Sequence, residues 1–151
     1  MKGDKTLMAF MDSMNISASA LTATRLRMDV IAENMANSNT TRTENGEPYR
    51  RKYVVFQEKA NSTDFAAFFN KAYSVGRGVR VLEIGTDMSE FKYDFNPSHP
   101  DADEYGYVRY PNVEVVQEMV DMMSAYRAYE ANITALNAFK DMAVKTLEIG
   151  K

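Results

Sequence analysis

The 151-residue chain contains no cysteine and only one histidine. The absence of cysteine excludes disulfide bonds, thiolate catalysis and thiolate zinc sites, but it leaves the cellular compartment open, because cytosolic and exported proteins can both lack cysteine. The net charge of -3 argues against a nucleic-acid-binding protein, since such proteins concentrate positive charge to neutralise phosphates. Arg50, Arg51 and Lys52 form the only tight basic cluster.

Long hydrophobic runs are also missing from the chain. No stretch approaches the roughly 20 apolar residues of a membrane-spanning helix. The segment from Met1 to Met14 contains Lys2, Asp4, Lys5 and Asp12 among its apolar residues, which interrupts the apolar core that a cleaved secretory signal needs. We therefore expect no direct membrane insertion, and any export should proceed without a cleaved signal peptide.

A long helical pattern is present at each end of the chain. In the first, from about Leu7 to Ala36, one apolar row recurs every seven residues. A second, offset row contains Phe10 and Ile31 but is interrupted by Ser17 and Thr24. Two such rows are typical of a coiled-coil seam. The uninterrupted row consists of Leu7, Met14, Leu21, Met28 and Met35.

The second pattern, from about Val113 to Glu148, alternates apolar steps of three and four with Lys140 as one polar exception. At 1.5 Å per residue this helix is roughly 50 Å long, which exceeds the width of a compact domain of this size. Its apolar surface is larger than one partner helix covers, which predicts a contact surface between subunits. A small helical core that uses both stripes within one chain is the alternative. The seam consists of Val115, Met119, Met122, Tyr126, Tyr129, Ile133, Leu136, Ala143 and Leu147, flanked by Val116, Met123, Phe139 and Met142.

The segment between the two patterns carries turn and strand signals. Asparagines from Asn34 to Asn39 indicate the end of the first helix, and Asn112 is a predicted N-cap of the second. Gly76 to Gly78 lacks the rest of a phosphate-binding motif and is interpreted as a glycine-hinged strand entry, whereas Asn61 to Ala72 is ambiguous between a helix and a mobile loop. Alternating residues predict strands within 49–56, 79–84, 91–95 and 105–110.

These patterns predict a mainly α fold with a small β part. The long N- and C-terminal helices are expected to pair as a coiled coil, and the centre is expected to be a β-rich subdomain of short strands and turns. The predicted divisions are the N-terminal helix of the coiled-coil domain at 1–39, the β-rich and loop region at 40–111, and the C-terminal helix at 112–151.

The stretch from Asn96 to Glu104 could be read as a metal or catalytic site, because it places His99 beside three carboxylates. Read as a calcium-binding loop that starts at Asp101, the sequence departs from the pattern at two positions. Tyr105 occupies the fifth position, and Asn112 stands in place of a bidentate glutamate. A rigid surface turn is favoured, and a weak ion site is the alternative. Ser98 lacks the Gly-x-Ser-x-Gly turn that presents a nucleophile. We expect no catalytic, metal-binding or cofactor-binding residues.

Four segments of the chain carry a resemblance to a known family. The segment from Ile31 to Thr41, IAENMANSNTT, resembles the N-terminal signature of the rod, hook and hook-associated axial proteins of the bacterial flagellum. The segments 46–52, 99–113 and 125–132 resemble one proximal-rod subunit of that family, whereas 57–75 match nothing recognisable. The signature residues are Asn34, Ala36, Asn37, Thr40, Thr41, Pro48, Tyr49, Arg50, Arg51, His99, Pro100, Asp101, Asp103, Gly106, Pro111 and Asn112.

The resemblance implies a structural subunit of the flagellar proximal rod and no enzymatic activity. In such proteins the terminal helices form the inner coiled-coil layer of a tube within the periplasm, and the central region forms an outer layer. The tube transmits torque from the membrane ring to the distal rod and hook, and its lumen is part of the export channel. The implied partners are copies of itself, other rod subunits, the proteins that join the rod to the membrane ring, and the flagellar type III export apparatus.

The residues expected at the assembly interface lie on both helical seams. An alternative function is a soluble coiled-coil adaptor that forms a closed oligomer. A metal-dependent enzyme built on the His99 turn and an amphipathic membrane-surface protein are further alternatives, although the first helix lacks the lysine-rich face of a membrane anchor. The interface residues are Leu7, Met14, Leu21, Met28, Ile31, Met35, Met119, Met122, Tyr126, Tyr129, Ile133 and Leu136.

Overall fold

We describe the chain from a computed structural model that covers residues 2–59 and 78–149, with side chains from Phe10 onward except at 147 and 149. The ambiguous segment 61–72, Gly76 and the side chains of Leu7 and Leu147 lie outside the described residues. Two 35-residue helices and four short strands confirm a mainly α chain with a small β part. The elements are α1 (Lys2–Ala36), β1 (Lys52–Glu58), β2 (Val79–Thr86), β3 (Lys92–Phe95), β4 (Tyr107–Tyr110) and α2 (Val115–Ile149).

The chain divides into two compact units. Unit 1 comprises residues 1–25, 56–82 and 126–151, and unit 2 comprises 26–55 and 83–125. Both long helices contribute residues to both units, so the division into two helices and a central region stays a prediction. Within the described part of the chain, neither helix is apolar enough over a sufficient length to cross a membrane.

The strands form two separate two-stranded sheets. Strand β1 pairs with β2, and β3 pairs antiparallel with β4, which places Phe95 opposite Tyr107 and Asp94 opposite Val108. Side chains alternate between the two faces of a strand, so the fully buried Val108 marks the inward face of the β3–β4 pair and Tyr107 the outward face. The four predicted strands are confirmed, with ends that differ by at most three residues.

The buried residues of α1 include members of its second, offset row, which Ser17 and Thr24 interrupt. Both residues are buried together with Ile31 of the same row, whereas Met14 of the uninterrupted row is half-buried. The Thr24 hydroxyl donates to the Ala20 carbonyl oxygen at 2.7 Å, so its burial leaves no unpaired polar atom. Small side chains allow close approach of a neighbouring segment, and this explains why the row is buried despite its low hydrophobicity.

In α2, one of the two predicted seam rows is half-buried. The other predicted row is exposed, and the residues one position before it are buried or half-buried instead. The row at positions 115, 122, 129, 136 and 143 lies partly inside the chain. Its companion row is 118, 125, 132 and 139, in which Glu118 and Ala125 are buried. The predicted companion row of Met119, Tyr126 and Ile133 is exposed, as is Lys140, its polar exception.

In unit 1, Phe139 and Phe10 join the two helices. Their ring centroids are 6.3 Å apart and their planes are nearly perpendicular, an arrangement that aromatic pairs favour. Phe139, which the sequence pattern places on the flank of the predicted seam, belongs instead to the companion row that contains the buried Glu118 and Ala125.

Gly78 allows β2 to begin directly against α1 within unit 1. Its φ is 104°, and a Cβ at this position would lie 2.2 Å from the Ser19 Oγ and 3.2 Å from the Ile16 Cα. The Ser19 hydroxyl donates to the Ile16 carbonyl oxygen at 2.7 Å and accepts a hydrogen bond from the Val79 N–H at 3.0 Å. The predicted strand entry therefore needs glycine for both its backbone conformation and its lack of a side chain.

We expect Gly78→Ala to destabilise the chain more than Gly46→Ala. Gly46 also has a positive φ, 77°, but a Cβ there meets nothing within 4 Å, so its substitution introduces only backbone strain of about 1 kcal/mol. Gly78→Ala adds a steric clash that costs a further 1–3 kcal/mol or so. Urea unfolding of both variants measures the difference, and equal losses would show that the contact with Ser19 is unimportant.

Candidate functional site

Unit 2 contains a buried polar cluster formed by Asn34, Tyr49, Arg51 and Glu118. Asn34 comes from α1, Glu118 from the first turn of α2, and the other two from the segment that leads into β1. The side chains of Asn34 and Glu118 are fully buried. Burial of polar groups is unfavourable unless each group finds a partner, so the hydrogen bonds of this cluster determine whether unit 2 can form.

The Asn34 amide makes four hydrogen bonds. Its Nδ2 donates to the Lys52 carbonyl oxygen at 2.8 Å and to Glu118 Oε2 at 3.1 Å. Its Oδ1 accepts from the Lys52 N–H and from the Tyr49 hydroxyl, both at 2.9 Å. Two donors and two acceptors are the full capacity of an amide side chain. Aspartate lacks the two donors, so only an amide of this length satisfies all four partners.

Arg51 neutralises the buried Glu118 carboxylate. Its Nε donates to Glu118 Oε1 at 2.6 Å, and its Nη2 lies 3.6 Å from Asp121 Oδ2. The Glu118 side chain is 0% exposed and that of Arg51 is 26% exposed, so one partner lies away from water and the other at its edge. A buried carboxylate without a cation is strongly unfavourable. The sequence interpretation missed Glu118, although a glutamate three residues after Val115 in a seam was an available signal.

Asn112 joins the start of β1 to the segment after β2. Its Oδ1 accepts from the Arg51 N–H at 2.9 Å, and its Nδ2 donates to the Asp87 carbonyl oxygen at 3.0 Å and to Ser89 Oγ at 2.8 Å. The prediction that Asn112 caps the second helix is wrong, because α2 begins at Val115 and the acceptor of Asn112 is already used. Hydrogen bonds from the Ser89 N–H and hydroxyl lower the pKa of Asp87.

The basic run at 50–52 is used within unit 2. Arg50 lies over the Phe91 ring, with its guanidinium carbon 4.1 Å from the ring centroid. Lys52 Nζ lies 2.5 Å from Glu33 Oε1, while Arg51 pairs with Glu118. These three cations therefore do not form an open patch for phosphates.

A second group of signature residues connects the end of α1 to the His99 turn. The Thr41 hydroxyl donates to Asp101 Oδ2 at 2.8 Å, and Arg42 Nη1 lies 3.6 Å from Asp101 Oδ1. The Thr40 hydroxyl donates to Asn37 Oδ1 at 3.1 Å. Pro48 and Pro111 are buried, whereas Ala36 and Pro100 are exposed.

The His99 turn uses its own polar side chains to fold. His99 Nδ1 accepts from the Asp101 N–H at 3.1 Å, and Asp103 Oδ1 accepts from the N–H groups of Tyr105 and Tyr107 at 2.9 and 2.8 Å. Gly106 has a φ of 81°, which closes the turn. Among residues 2–59 and 78–149, no three histidine, aspartate or glutamate side chains converge on a point that could hold a metal ion.

The predicted interface residues fall into three classes. Ile31 is buried, and seven others are half-buried. Met119, Tyr126 and Ile133 are exposed on α2, where other exposed residues of the same helix face extend them into an apolar stripe. We call this surface the α2 stripe and define it as Val116, Met119, Met123, Tyr126, Glu130 and Ile133. The half-buried residues are Met14, Leu21, Met28, Met35, Met122, Tyr129 and Leu136. Their role in assembly stays a prediction.

Arg51→Met should destabilise unit 2 because it leaves the Glu118 carboxylate buried without a cation. Breaking a buried ion pair costs roughly 3–5 kcal/mol, and water at the exposed edge of Arg51 reduces this to about 2–4 kcal/mol of unfolding free energy. Adding Glu118→Gln removes the charge and keeps an acceptor for Asn34, so the double variant should be more stable than Arg51→Met alone. Urea unfolding of the unsubstituted chain, both single variants and the double variant checks this. Strictly additive losses of unfolding free energy would contradict a coupled pair.

Alkaline pH should weaken the cluster through Tyr49. Burial, followed by the charges of Glu33 and Glu118, raises the pKa of Tyr49 from 10.0 to about 12. The folded chain therefore holds this proton more tightly than the unfolded chain. The resulting stabilisation is complete below about pH 10 and is lost as the pH rises through about 12. We expect the unfolding free energy of Tyr49→Phe to fall less than that of the unsubstituted chain across this interval, whereas parallel curves would count against the assignment.

Two known family descriptions match the parts of the chain that contribute Asn34 and Glu118 to the cluster. Residues 14–42, which include Asn34, match "Flagella basal body rod protein". Residues 105–149, which include Glu118 and the α2 stripe, match "Flagellar basal body rod FlgEFG protein C-terminal".

Relatives match the chain over nearly its whole length. The flagellar basal-body rod protein FlgC of Bacillus subtilis (strain 168) is 51% identical, across 92% of this chain and 97% of the relative. The FlgC proteins of Borreliella burgdorferi and of Escherichia coli O6:H1 are 45% and 42% identical, and the matches cover 94% and 95% of this chain and 98% and 100% of the relatives. Identity at this level over almost the entire length confirms the resemblance seen in the signature segments: the chain belongs to the FlgC family of flagellar basal-body rod proteins, which are structural subunits and not enzymes.

Proposed function

We propose that this rod subunit polymerises into the proximal rod through apolar surfaces on its long helices, with the α2 stripe as a principal contact. The observation that supports the proposal is the exposure of large apolar side chains in regular helical register. Val116, Met119, Met123 and Tyr126 are each at least half exposed. A stripe of this kind on a soluble monomer usually marks an interaction surface.

The register of the stripe explains why a second molecule is needed. Its residues follow steps of three and four, which place them on one side of a helix. The buried Glu118 and Ala125 lie on another side of the same helix, about 100° around it from Met119 and Tyr126, and face the chain's own interior. Hence the interior of one chain cannot cover the stripe, and its apolar area remains in water until a partner arrives.

The proposed rod accounts for the remaining expectations from the sequence. Terminal helices of neighbouring subunits would pack as the inner coiled-coil layer, and the strands would form an outer layer within the periplasm. Close-packed helices resist bending because a bend disturbs packing in several subunits at once, which suits a shaft that carries torque from the membrane ring to the hook. Other rod subunits, the ring-junction proteins and the type III export apparatus complete the proposed set of partners.

Met123→Asp should block assembly and leave the monomer folded. The side chain is 57% exposed in the single chain, so the carboxylate is solvated there, but in the assembled rod it would be buried without a cation. We expect incorporation into basal bodies to fall by about tenfold or more, which corresponds to roughly 1.4 kcal/mol or more. Quantitative immunoblotting of isolated basal bodies measures incorporation, and circular dichroism checks the fold.

Ser124→Asp is the matched control for this substitution. Ser124 is the next residue of α2 and is also exposed, but it lies about 100° around the helix from Met123 and outside the stripe. The same charge at this position should leave incorporation within about twofold of normal. Equal behaviour of the two variants would mean that the stripe is not an assembly surface.

A further inference from the structure

The β3–β4 pair presents an exposed aromatic face in unit 2. Tyr93, Phe95 and Tyr107 are 63%, 62% and 44% exposed, and the rings of Phe95 and Tyr107 meet edge to face at 5.3 Å. Arg109 lies opposite Tyr93 in the register and is also exposed. We call these four residues the aromatic face. Val108, on the opposite side of the pair, is fully buried, so unit 2 itself cannot cover the aromatic face.

Arg109 carries a positive charge that the described part of the chain does not neutralise. Its side chain makes no hydrogen bond, ion pair or ring contact with any described residue. The carboxylate of Asp101 borders the same open cavity as Arg109 but already accepts from Thr41 and pairs with Arg42. An unpaired cation beside three exposed aromatic rings favours a partner surface that is apolar and holds one anion.

The α2 stripe has this composition. Glu130 is its only charged member, lies between Tyr126 and Ile133 in the same helical register, and is exposed. Its carboxylate makes no hydrogen bond or ion pair with any described residue. The two methionines of the stripe are well suited to aromatic partners, since thioether sulfur makes favourable contacts with ring edges.

We propose that the aromatic face of one copy of the chain docks on the α2 stripe of a second copy, with Arg109 paired to Glu130 across the contact. The inference rests on the proposed function, because it names the occupant of the stripe. The contact joins two different surfaces, so a pair of copies keeps one free aromatic face on one copy and one free stripe on the other. Such a heterologous contact continues from copy to copy, as assembly of a rod requires.

Charge reversal tests the pairing. Arg109→Glu and Glu130→Arg should each reduce incorporation of the chain into basal bodies by about tenfold, because each places like charges together at the contact. The double variant restores opposite charges and should recover incorporation to within about twofold of normal. Arg80→Glu is the control. Arg80 is also an exposed arginine, but it lies on β2, outside the aromatic face, and already donates two hydrogen bonds to Gln57.

A disulfide test locates the contact independently of charge. The chain has no cysteine, so variants with one cysteine each can be mixed and a mixed disulfide can only join two molecules. In basal bodies from cells that express Tyr107→Cys and Met123→Cys together, mild oxidation should give a cross-linked pair. Tyr107→Cys with Ser124→Cys should give at least about fivefold less, because position 124 faces away from the stripe.

The outcomes separate this inference from the proposed function. Double-variant rescue together with a cross-link between positions 107 and 123 supports the inference. Absence of both, while Met123→Asp still blocks assembly, overturns the inference and leaves the stripe as a contact for another occupant, such as a different rod subunit. Rescue of Arg80→Glu by Glu130→Arg would assign the stripe to the β2 surface and also overturn it. Loss of the Met123→Asp effect overturns the proposed function itself.

Discussion

The amide of Asn34 is the constraint on which unit 2 depends. It is fully buried and satisfies the backbone of Lys52, the hydroxyl of Tyr49 and the carboxylate of Glu118 at once. Because each partner would be left unpaired in a low-dielectric interior without it, the network is satisfied only in one mutual arrangement of α1, the β1 entry and α2. Arg51 completes the arrangement by neutralising Glu118. Apolar packing alone tolerates sliding between helices, whereas this polar network allows one register.

The two faces of α2 divide the roles of folding and assembly. The inner face carries Glu118 and Ala125, which are buried within the chain, and the outer face carries large apolar residues that remain exposed. In a self-sufficient globular protein the larger apolar side chains would be expected inside. Here the buried face of α1 is also built partly of small residues, such as Ser17, Ala23 and Thr24. Small inner residues permit close approach within the subunit and leave the methionines and Tyr126 available for contacts between subunits.

The two helices, the four strands and the family could be predicted from the sequence because periodicity, turn residues and signature segments are local features. The seam rows were less predictable, since hydrophobicity does not distinguish a row buried within a chain from one buried between chains. Met119 and Glu118 show the difficulty: the apolar residue is exposed and the charged one is buried. The role of Glu118 depends on Asn34, 84 residues away in the sequence, and no local pattern predicts a contact over that separation. Asn112 was assigned to its nearest helix for the same reason.

A rod subunit must keep its form under load while it leaves surfaces open for its neighbours, and the distribution of polar groups in this chain meets both demands. The strongest polar contacts lie inside unit 2, where Arg51 and Glu118 are held within one molecule and are shielded from salt more than surface pairs are. The charges of Arg109 and Glu130, which pair with no described residue, lie instead on exposed faces. Surface charges add little to the stability of a monomer, but they discriminate between correct and incorrect neighbours once water is excluded. Internal pairs therefore maintain the subunit, and exposed charges are available to select its position in the rod.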